Sequence, residues 1–375
     1  MRILFLTKYN INCFLKLEMS RYVLTADHLR FSSVLIDTFK RGEIVVVDLT
    51  EHEINSIRQV VRVAHRYRYT IYWVGNPCQI SNSRKIQFIS PIDIRSTLKI
   101  PIVDLSHFRR VNHFGDLHGC YSVLMDYFRK YPFKKDEAYI FVGDYIDRGI
   151  ETAKLLKFLL SIYRQNNVYL LQGNHDRHLW SWVMNYPIDS RYSIESIKVI
   201  KHHFSKEEIA QFFLSMQEVF PYSYYEKRVL VTHGGLSNFP LYMKLVSSRQ
   251  LTNGVGDYKT PIDKIFFNNT GYNEFQIHGH RNLTSVPTQV NSRTFNLEGG
   301  IEYGGDLRVV QLSQSGFSSL SLPNRVYSQE YMDTSYYLYD DQWETWKQRE
   351  IRNENMSFGN QRNYKKNYFK NIKRS

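Results

Sequence analysis

The amino-acid sequence predicts an α/β protein, and three observations favour that fold class. Apolar segments rich in β-branched and aromatic residues recur along the chain, and amphipathic helical segments separate them. Several strand-like segments end in glycine followed by charged or polar residues. The clearest is Ala138–Gly149 (AYIFVGDYIDRG), in which an apolar strand breaks at Gly143 and presents Asp144, Asp147 and Arg148. Such loops at the carboxyl ends of strands mark the edge of an open α/β sheet where binding sites form.

Composition limits the class of protein before any motif is considered. The chain has 375 residues, 42% of them hydrophobic and 15% aromatic, which is typical of a globular protein with two or three domains. Cys13, Cys78 and Cys120 are scattered, which disfavours a disulfide framework or a cysteine zinc site. No apolar run is long enough to cross a membrane. We therefore expect an intracellular, cytoplasmic protein with no membrane partner; a viral source fits this composition, and the oligomeric state is left open.

The net charge of +13 is unevenly distributed, with about half of the excess in residues 1–100. A basic region favours a polyanionic partner such as nucleic acid, although a solubilising surface explains the charge equally well. The first apolar run is predicted to be a strand. Glu43–Leu49 is predicted to be a buried strand, Glu51–Arg66 an amphipathic helix and Thr70–Val74 the next parallel strand, which makes a small βαβ domain of residues 1–100.

This N-terminal region resembles part of the P-loop polynucleotide kinases. Residues 41–77 (RGEIVVVDLTEHEINSIRQVVRVAHRYRYTIYWVGNP) are similar to the second half of that fold, and residues 24–30 (LTADHLR) resemble its acceptor-side segment, with Asp27 at the position of the general base. A kinase needs a glycine-rich phosphate loop, whereas TKYNINCFLKLEMS contains no glycine. The resemblance therefore implies a degenerate, inactive kinase-like domain that would bind nucleic acid. The alternative is that the similarity arises by chance from a common βαβ pattern.

Residues 101–322 contain the candidate chemistry. Five strand-like segments end in aspartate, histidine or asparagine flanked by glycine, and these residue types are the ligands of divalent metals such as manganese, iron or zinc. Each motif alone is typical of a turn, but the five together indicate a metal site. The motifs are GDLHG (115–119), GDYIDRG (143–149), GNHD (173–176), HGG (233–235) and HGH (278–280). Residues 180–220 are expected to form a helical lid with a Ser205–Glu208 capping box, and NLEGGIEYGG with LRVVQL a hairpin-like pair of strands.

In this order the five motifs resemble the calcineurin-like metallophosphoesterases, over about residues 110–312. The branch of this family that the motifs resemble includes protein serine/threonine phosphatases, dinucleoside polyphosphate hydrolases and the phosphatase domain of bacterial RNA-repair polynucleotide kinase–phosphatases. The resemblance implies an αββα two-sheet sandwich with a binuclear centre of divalent cations, with Mn²⁺ as the first expectation and Fe, Zn or Ni as alternatives.

The resemblance also implies roles for single residues. Asp116 and His118 would hold the first metal, Asp144 would bridge both, and Asn174, His233 and His280 would hold the second. His280 is preferred over His278 because it follows Gly279. Arg148 would clamp the phosphate, and His175, oriented by Asp147, would protonate the leaving oxygen. Asn282 stands where many relatives have a further histidine, so the first metal would have one protein ligand fewer. Asp176 stands where many have glutamate, a difference that we expect to be tolerated.

The expected activity is hydrolysis of phosphate esters by a two-metal hydroxide mechanism. We expect nucleotide or nucleic-acid phosphates as substrates, as in RNA end processing and repair. The alternatives are a serine/threonine protein phosphatase, a dinucleoside polyphosphate hydrolase, and a binding module that has lost catalysis. Residues 323–375 form the third predicted segment, with a helix at Gln342–Arg352 and a basic, aromatic tail from Asn355 that either stacks on bases or is a solvated terminus.

Overall fold

A computed structural model of the protein describes residues 3–7, 21–24, 38–39, 44–48, 54–75, 86–282 and 285–329. The chain separates into two units, Met1–Tyr327 and Ser328–Ser375, and the elements below belong to the first. Asp27, the helix predicted at Gln342–Arg352 and the basic tail lie outside the described residues. In the part of the chain that the structure describes, no helix combines the length and the apolar character needed to cross a membrane.

The N-terminal region is a sheet of five parallel strands in the order β2-β3-β1-β4-β5. Helix α1 (Ile54–Arg66) joins β3 to β4 and packs Val60 and Ala64 against one face of the sheet. The predicted parallel βαβ arrangement is confirmed, with β1 lying between the two strands that the helix connects. The strands are β1 (Ile3–Thr7), β2 (Arg21–Leu24), β3 (Ile44–Asp48), β4 (Thr70–Val74) and β5 (Ile86–Ile89).

The other face of this sheet is also buried, as is usual for parallel sheets. Phe5, Tyr72 and Val74 pack there against Ile94 of the short helix α2 (Ile94–Thr97) and against Leu245 from the following region. The N-terminal sheet is therefore packed onto the rest of its unit through an apolar contact.

Residues from 103 onward build two further sheets that face one another. The six-stranded sheet has the order β13-β14-β12-β11-β10-β6 and the five-stranded sheet the order β16-β15-β7-β8-β9. Their facing sides share one apolar core, in which Val111 and Ile140 meet Val231 and Ile277. The strands are β6 (Val103–Asp104), β7 (Arg110–Phe114), β8 (Glu137–Phe141), β9 (Val168–Leu170), β10 (Val219–Tyr224), β11 (Lys227–Thr232), β12 (Glu274–His278), β13 (Gln289–Asn291), β14 (Thr294–Asn296), β15 (Asp306–Ser313) and β16 (Gly316–Pro323).

Helices cover the outer face of each sheet, which gives the predicted αββα sandwich. Leu124, Leu155 and Phe212 pack on the five-stranded sheet, whereas Leu251 and Phe266 pack on the six-stranded one. The helices are α3 (Tyr121–Lys130), α4 (Thr152–Ile162), α5 (Arg177–Val183), α6 (Arg191–His203), α7 (Lys206–Ser215), α8 (Ser248–Asn253) and α9 (Ile262–Asn269). The predicted helical region is thus α5 to α7, and the Ser205–Glu208 capping box at α7 is present.

The glycine-rich segment after β14 differs from the prediction. Strand β14 pairs with β12 in one sheet, whereas β15 pairs with β7 in the other, so the expected hairpin between them is wrong. The hairpin is formed instead by β15 and β16. The segment crosses from one sheet to the other and contains a 3₁₀ turn at Ile301–Tyr303. It therefore passes the edge where the two sheets meet.

Candidate metal and phosphate site

The five predicted motifs follow the carboxyl ends of neighbouring parallel strands. Strands β7, β8 and β9 are adjacent in one sheet, and β11 and β12 are adjacent in the facing sheet. The loops after them meet at one edge of the sandwich, as parallel strand ends do. Among the described residues, nine that are not glycine have a positive φ, and five of these lie in the motifs: His118, Asp144, Asp147, Arg148 and His280. Backbone strain is therefore concentrated in these loops.

Asp144 lies at the centre of the cluster and is buried. Its Oδ2 is 3.5 Å from His118 Nε2 and 3.2 Å from His233 Nε2. Asp116 is on the same side, with its Oδ2 3.9 Å from His233 Nε2. Its carboxylate also accepts the backbone N–H of His280 at 3.1 Å. The structure thus brings two carboxylates and two imidazoles together around Asp144.

The amide and the third imidazole complete this arrangement. Asn174 Oδ1 lies 3.1 Å from His233 Nε2, and the His280 ring centroid is 5.2 Å from that of His233. Ligand atoms of Asp144, His233 and His280 all lie within 4.8 Å of one another. His278 Nε2 instead lies 3.1 Å from Asp263 Oδ1, outside the cluster. The geometry therefore favours His280 over His278 as a candidate ligand.

Two histidines are held so that one ring nitrogen faces the carboxylates. Nδ1 of His118 lies 3.0 Å from the carbonyl of Ile146, and Nδ1 of His233 lies 3.1 Å from the carbonyl of Val142. A carbonyl only accepts, so each Nδ1 carries a proton, and each Nε2 is the ring nitrogen that faces the carboxylates. Imidazoles that ligate metals are oriented by this kind of hydrogen bond.

The charge balance of the cluster also fits a bound cation. Burial alone would lower the pKa of His233, but Asp144 and Asp116 outweigh it and raise the pKa to about 10. Burial raises the pKa of Asp116 to about 6. Without a cation the two buried carboxylates therefore hold a proton on the imidazole between them. A divalent ion would replace that proton, as metal binding to histidine sites does. The donor set of imidazole, carboxylate and amide oxygen fits Mn, Fe or Zn.

The predicted phosphate-handling residues lie on the solvent side of the cluster. His175 Nδ1 is 2.6 Å from Asp147 Oδ2, and the two side chains are 12% and 0% exposed. Asp147 also accepts a hydrogen bond from Ser193 Oγ. Arg148 is 20% exposed; its Nη2 lies 3.2 Å from His175 Nε2 and its Nη1 lies 3.2 Å from His118 Nε2. A guanidinium and an oriented imidazole thus lie beside the candidate metal ligands.

Asp176 joins two of the loops. Its carboxylate accepts the backbone N–H groups of Gly173, Asp144 and Tyr145 at 2.8 to 2.9 Å. Burial and the nearby Asp144 raise the pKa of Asp176 to about 7, whereas the N–H donors favour its ionised form. The residue holds the loops rather than facing the cluster. Gly173 has no space for a side chain, because a Cβ would collide with Asp144.

Sequence reasoning missed two carboxylates in the segment that crosses between the sheets. Glu302 Oε1 lies 2.6 Å from Arg148 Nη1 and 3.7 Å from His118 Nε2, and its side chain is buried. Glu298 makes a side-chain hydrogen bond with Asp116, and burial raises its pKa well above the usual range. Their only signal in the sequence is two acidic residues among glycines, in EGGIEYGG. The nine predicted site residues do lie together, and their individual roles stay predictions.

A family model described as calcineurin-like phosphoesterase matches residues 109–318, which include all five motifs. The chain belongs to the calcineurin-like phosphoesterase family. This confirms the resemblance that the five motifs show over about residues 110–312 and assigns the chain to a hydrolase family that uses divalent metals. The match does not extend to the N-terminal sheet.

Relatives of this calcineurin-like phosphoesterase include two kinds of hydrolase. The asymmetrical bis(5′-nucleosyl)-tetraphosphatase PrpE of Halalkalibacterium halodurans is 22% identical over 231 residues, covering 56% of this chain and 92% of that protein. The serine/threonine-protein phosphatase 6 catalytic subunit of Caenorhabditis elegans is 28% identical over 171 residues, covering 44% and 48%. Among solved structures, a protein serine/threonine phosphatase from Saccharomyces cerevisiae aligns with a TM-score of 0.42 and 19% identity, covering 64% of this chain and 89% of that one.

Proposed function

We propose that this calcineurin-like phosphoesterase is a phosphatase that uses two divalent cations and acts on nucleotide or nucleic-acid phosphates. The observation that carries the proposal is the position of Arg148 and of the His175–Asp147 pair directly beside the candidate ligand cluster. The cations, with Mn²⁺ expected first and Fe, Zn or Ni as alternatives, would lower the pKa of the attacking water and polarise the phosphoryl oxygens. The proposed ligands are Asp116, His118, Asp144, Asn174, His233 and His280.

Arg148 is the proposed phosphate clamp. Its guanidinium is fixed by the ion pair with Glu302 and remains partly exposed. A planar, permanently charged donor suits the oxygens of a phosphoryl group, where negative charge spreads in the transition state. Glu302 thus acts in this proposal as a positioning residue for Arg148.

His175 is the proposed proton donor to the leaving oxygen. Nδ1 is hydrogen-bonded to Asp147, and Nε2 lies 3.2 Å from Arg148 Nη2, so a substrate would meet Nε2 beside the guanidinium that binds its phosphate. Burial lowers the pKa of the His175 ring, whereas the charges of Asp144 and Asp147 favour the protonated form. A carboxylate that fixes the ring and stabilises the imidazolium serves this role.

The substrate proposal rests on charge and on the relatives. The net charge of +13 favours a polyanion such as RNA. The chain covers 92% of the nucleosyl-tetraphosphatase relative but only 48% of the protein phosphatase relative. We further propose that residues 1–100 are a kinase-like domain without kinase activity that binds nucleic acid, and that the enzyme processes phosphorylated RNA ends. A dinucleoside polyphosphate is the second candidate substrate, because the similarity to that relative spans nearly its whole length.

A parallel assay tests these proposals. Purified protein with Mn²⁺ is offered RNA with a 3′-phosphate or 2′,3′-cyclic end, a dinucleoside tetraphosphate and a phosphopeptide. The Asp144→Asn variant gives the background of contaminating phosphatases. We expect RNA to exceed the others at least tenfold in kcat/KM, which corresponds to about 1.4 kcal/mol of transition-state binding. A preference for the tetraphosphate would select the second candidate, and a preference for the phosphopeptide would refute the nucleic-acid proposal.

A further inference from the structure

We propose that Glu298 is an additional ligand of the first cation of this centre, beside Asp116 and His118. The inference rests on the proposed function, because it presumes that divalent cations occupy the cluster. Glu298 belongs to none of the five motifs and lies in the segment that crosses between the two sheets, directly after β14 and Leu297.

The position of Glu298 carries the proposal. One carboxylate oxygen of Glu298, one of Asp116 and a ring nitrogen of His118 all lie within 4.8 Å of one another. The same distance limit groups Asp144 with His233 and His280, and Asp144 with His118 and His175. The cluster therefore contains three overlapping sets of three donors, and Glu298 completes the one set that lacks Asp144.

Three hydrogen bonds fix the backbone and carboxylate of Glu298. Its N–H donates to Asn296 Oδ1 at 3.0 Å, and its carbonyl accepts from Asn282 Nδ2 at 2.8 Å. Its own Oε1 accepts the N–H of Gly300 at 2.8 Å. A ligand held by bonds of this kind is pre-organised for its ion.

Asn282 links this geometry to the sequence. The sequence predicts a first cation with one protein ligand fewer, because an asparagine follows His280 by two residues. The Asn282 side chain is occupied elsewhere: Oδ1 accepts the N–H of Val286 at 2.7 Å, and Nδ2 donates to Glu298. Asn282 therefore holds the backbone of Glu298, and the Glu298 carboxylate supplies the oxygen donor that hard and borderline divalent ions favour.

A weaker role for Glu298 is that it only holds Asp116 by a hydrogen bond. The Glu298→Gln variant separates the two roles, because a glutamine amide donates the same hydrogen bond to Asp116 but offers the cation no anionic oxygen. Glu207→Gln, which removes an exposed carboxylate from α7, is the control for charge. Mn²⁺ is titrated into the EDTA-treated full-length proteins by calorimetry, and bound ions are counted by the loss of the free-Mn²⁺ EPR signal.

We expect two Mn²⁺ per chain in the wild type and in Glu207→Gln. Loss of a residue that only hydrogen-bonds to a ligand typically weakens metal affinity about 10–100-fold. Loss of a ligand should weaken it more, so we expect Glu298→Gln to raise the Kd for Mn²⁺ at one site by at least about 100-fold and to leave the Kd of the other site unchanged. Urea unfolding in EDTA should be unchanged by Glu298→Gln, since the hydrogen bond to Asp116 remains. Should this variant be unfolded, Asn282→Ala serves in its place, with a Kd about tenfold higher expected at the same site.

Two results would overturn the proposals separately. Two Mn²⁺ bound with unchanged affinity by folded Glu298→Gln would restrict Glu298 to the hydrogen bond and reject it as a ligand. No Mn²⁺ bound by the wild type would instead reject the proposed metal centre itself.

Discussion

Replacing His175 by alanine should slow the hydrolysis of some substrates far more than that of others. The ring is held by Asp147 through a 2.6 Å contact at Nδ1, and Nε2, which lies beside Arg148, is the nitrogen that would meet a substrate. If Nε2–H protonates the leaving oxygen, the need for it depends on how basic that oxygen becomes. An alkoxide leaving group such as a ribose hydroxyl needs the proton, whereas 4-nitrophenolate leaves readily as an anion.

The expected magnitude follows from general acid catalysis. A positioned proton donor contributes about 10²–10⁴-fold, or about 3–5 kcal/mol of activation free energy. We therefore expect His175→Ala to lower kcat for a nucleoside monophosphate by about 10²–10⁴-fold. For 4-nitrophenyl phosphate, the loss should stay below about tenfold, because the remaining groups, Arg148 included, still bind the phosphoryl oxygens.

The assay compares kcat for both substrates at saturating Mn²⁺ in the wild type and in His175→Ala. His202→Ala, at an exposed position on α6, is the control and should leave both rates unchanged. Circular dichroism and urea unfolding check that His175→Ala is folded. An equal loss of rate for the two substrates would refute the assignment of His175 as the proton donor.

Three further predictions concern stability and are measured by urea unfolding. Burial lowers the pKa of His113 from 6.5 to about 4, so the stability that the neutral ring contributes is complete above pH 6.5 and is lost as the pH falls towards 4. Over that range the free energy of unfolding of the wild type should fall by about 3 kcal/mol more than that of His113→Gln, and parallel pH curves would contradict this. Asp176→Ala removes the acceptor of three buried N–H groups and should lower the free energy of unfolding by about 3–5 kcal/mol, with a smaller loss in Asp176→Glu. An unchanged urea midpoint in Asp176→Ala would show that other contacts hold the loops. Arg68 has a φ of 62°, so Arg68→Gly should be more stable than Arg68→Ala by about 1 kcal/mol, and equal stability would indicate that the left-handed backbone is not retained.

The residue pattern was sufficient to predict the α/β class and the position of the five loops, and the family resemblance that these loops carry implied the two-sheet sandwich. An apolar strand such as Glu137–Phe141 that ends in glycine and aspartate is recognisable locally, and parallel strands place their carboxyl ends at one edge. The preference for His280 over His278 also agrees with the geometry, because His278 is turned towards Asp263. These features depend on residues close together in the chain, and their patterns are therefore visible without coordinates.

Features that depend on how distant segments meet were not predictable. The sequence pattern predicts a hairpin around Glu298 and Glu302, because a glycine-rich segment between two strands usually turns back, whereas the segment crosses to the other sheet. The contact between the N-terminal region and the two-sheet sandwich also joins segments that are distant in the chain. The Arg68 guanidinium lies over the Trp180 ring, 5.2 Å from its centroid, and Tyr186 donates to the carbonyl of Arg66 at 3.1 Å. Neither contact leaves a local pattern in the sequence.

Anomalous X-ray scattering from crystals of the full chain grown with Mn²⁺ tests the binuclear centre most directly. We expect two manganese peaks about 3.5–4 Å apart on either side of Asp144, with His233 and His280 beside one and His118 beside the other. A single peak, or peaks away from Asp144, would contradict the binuclear centre on which the proposed chemistry depends.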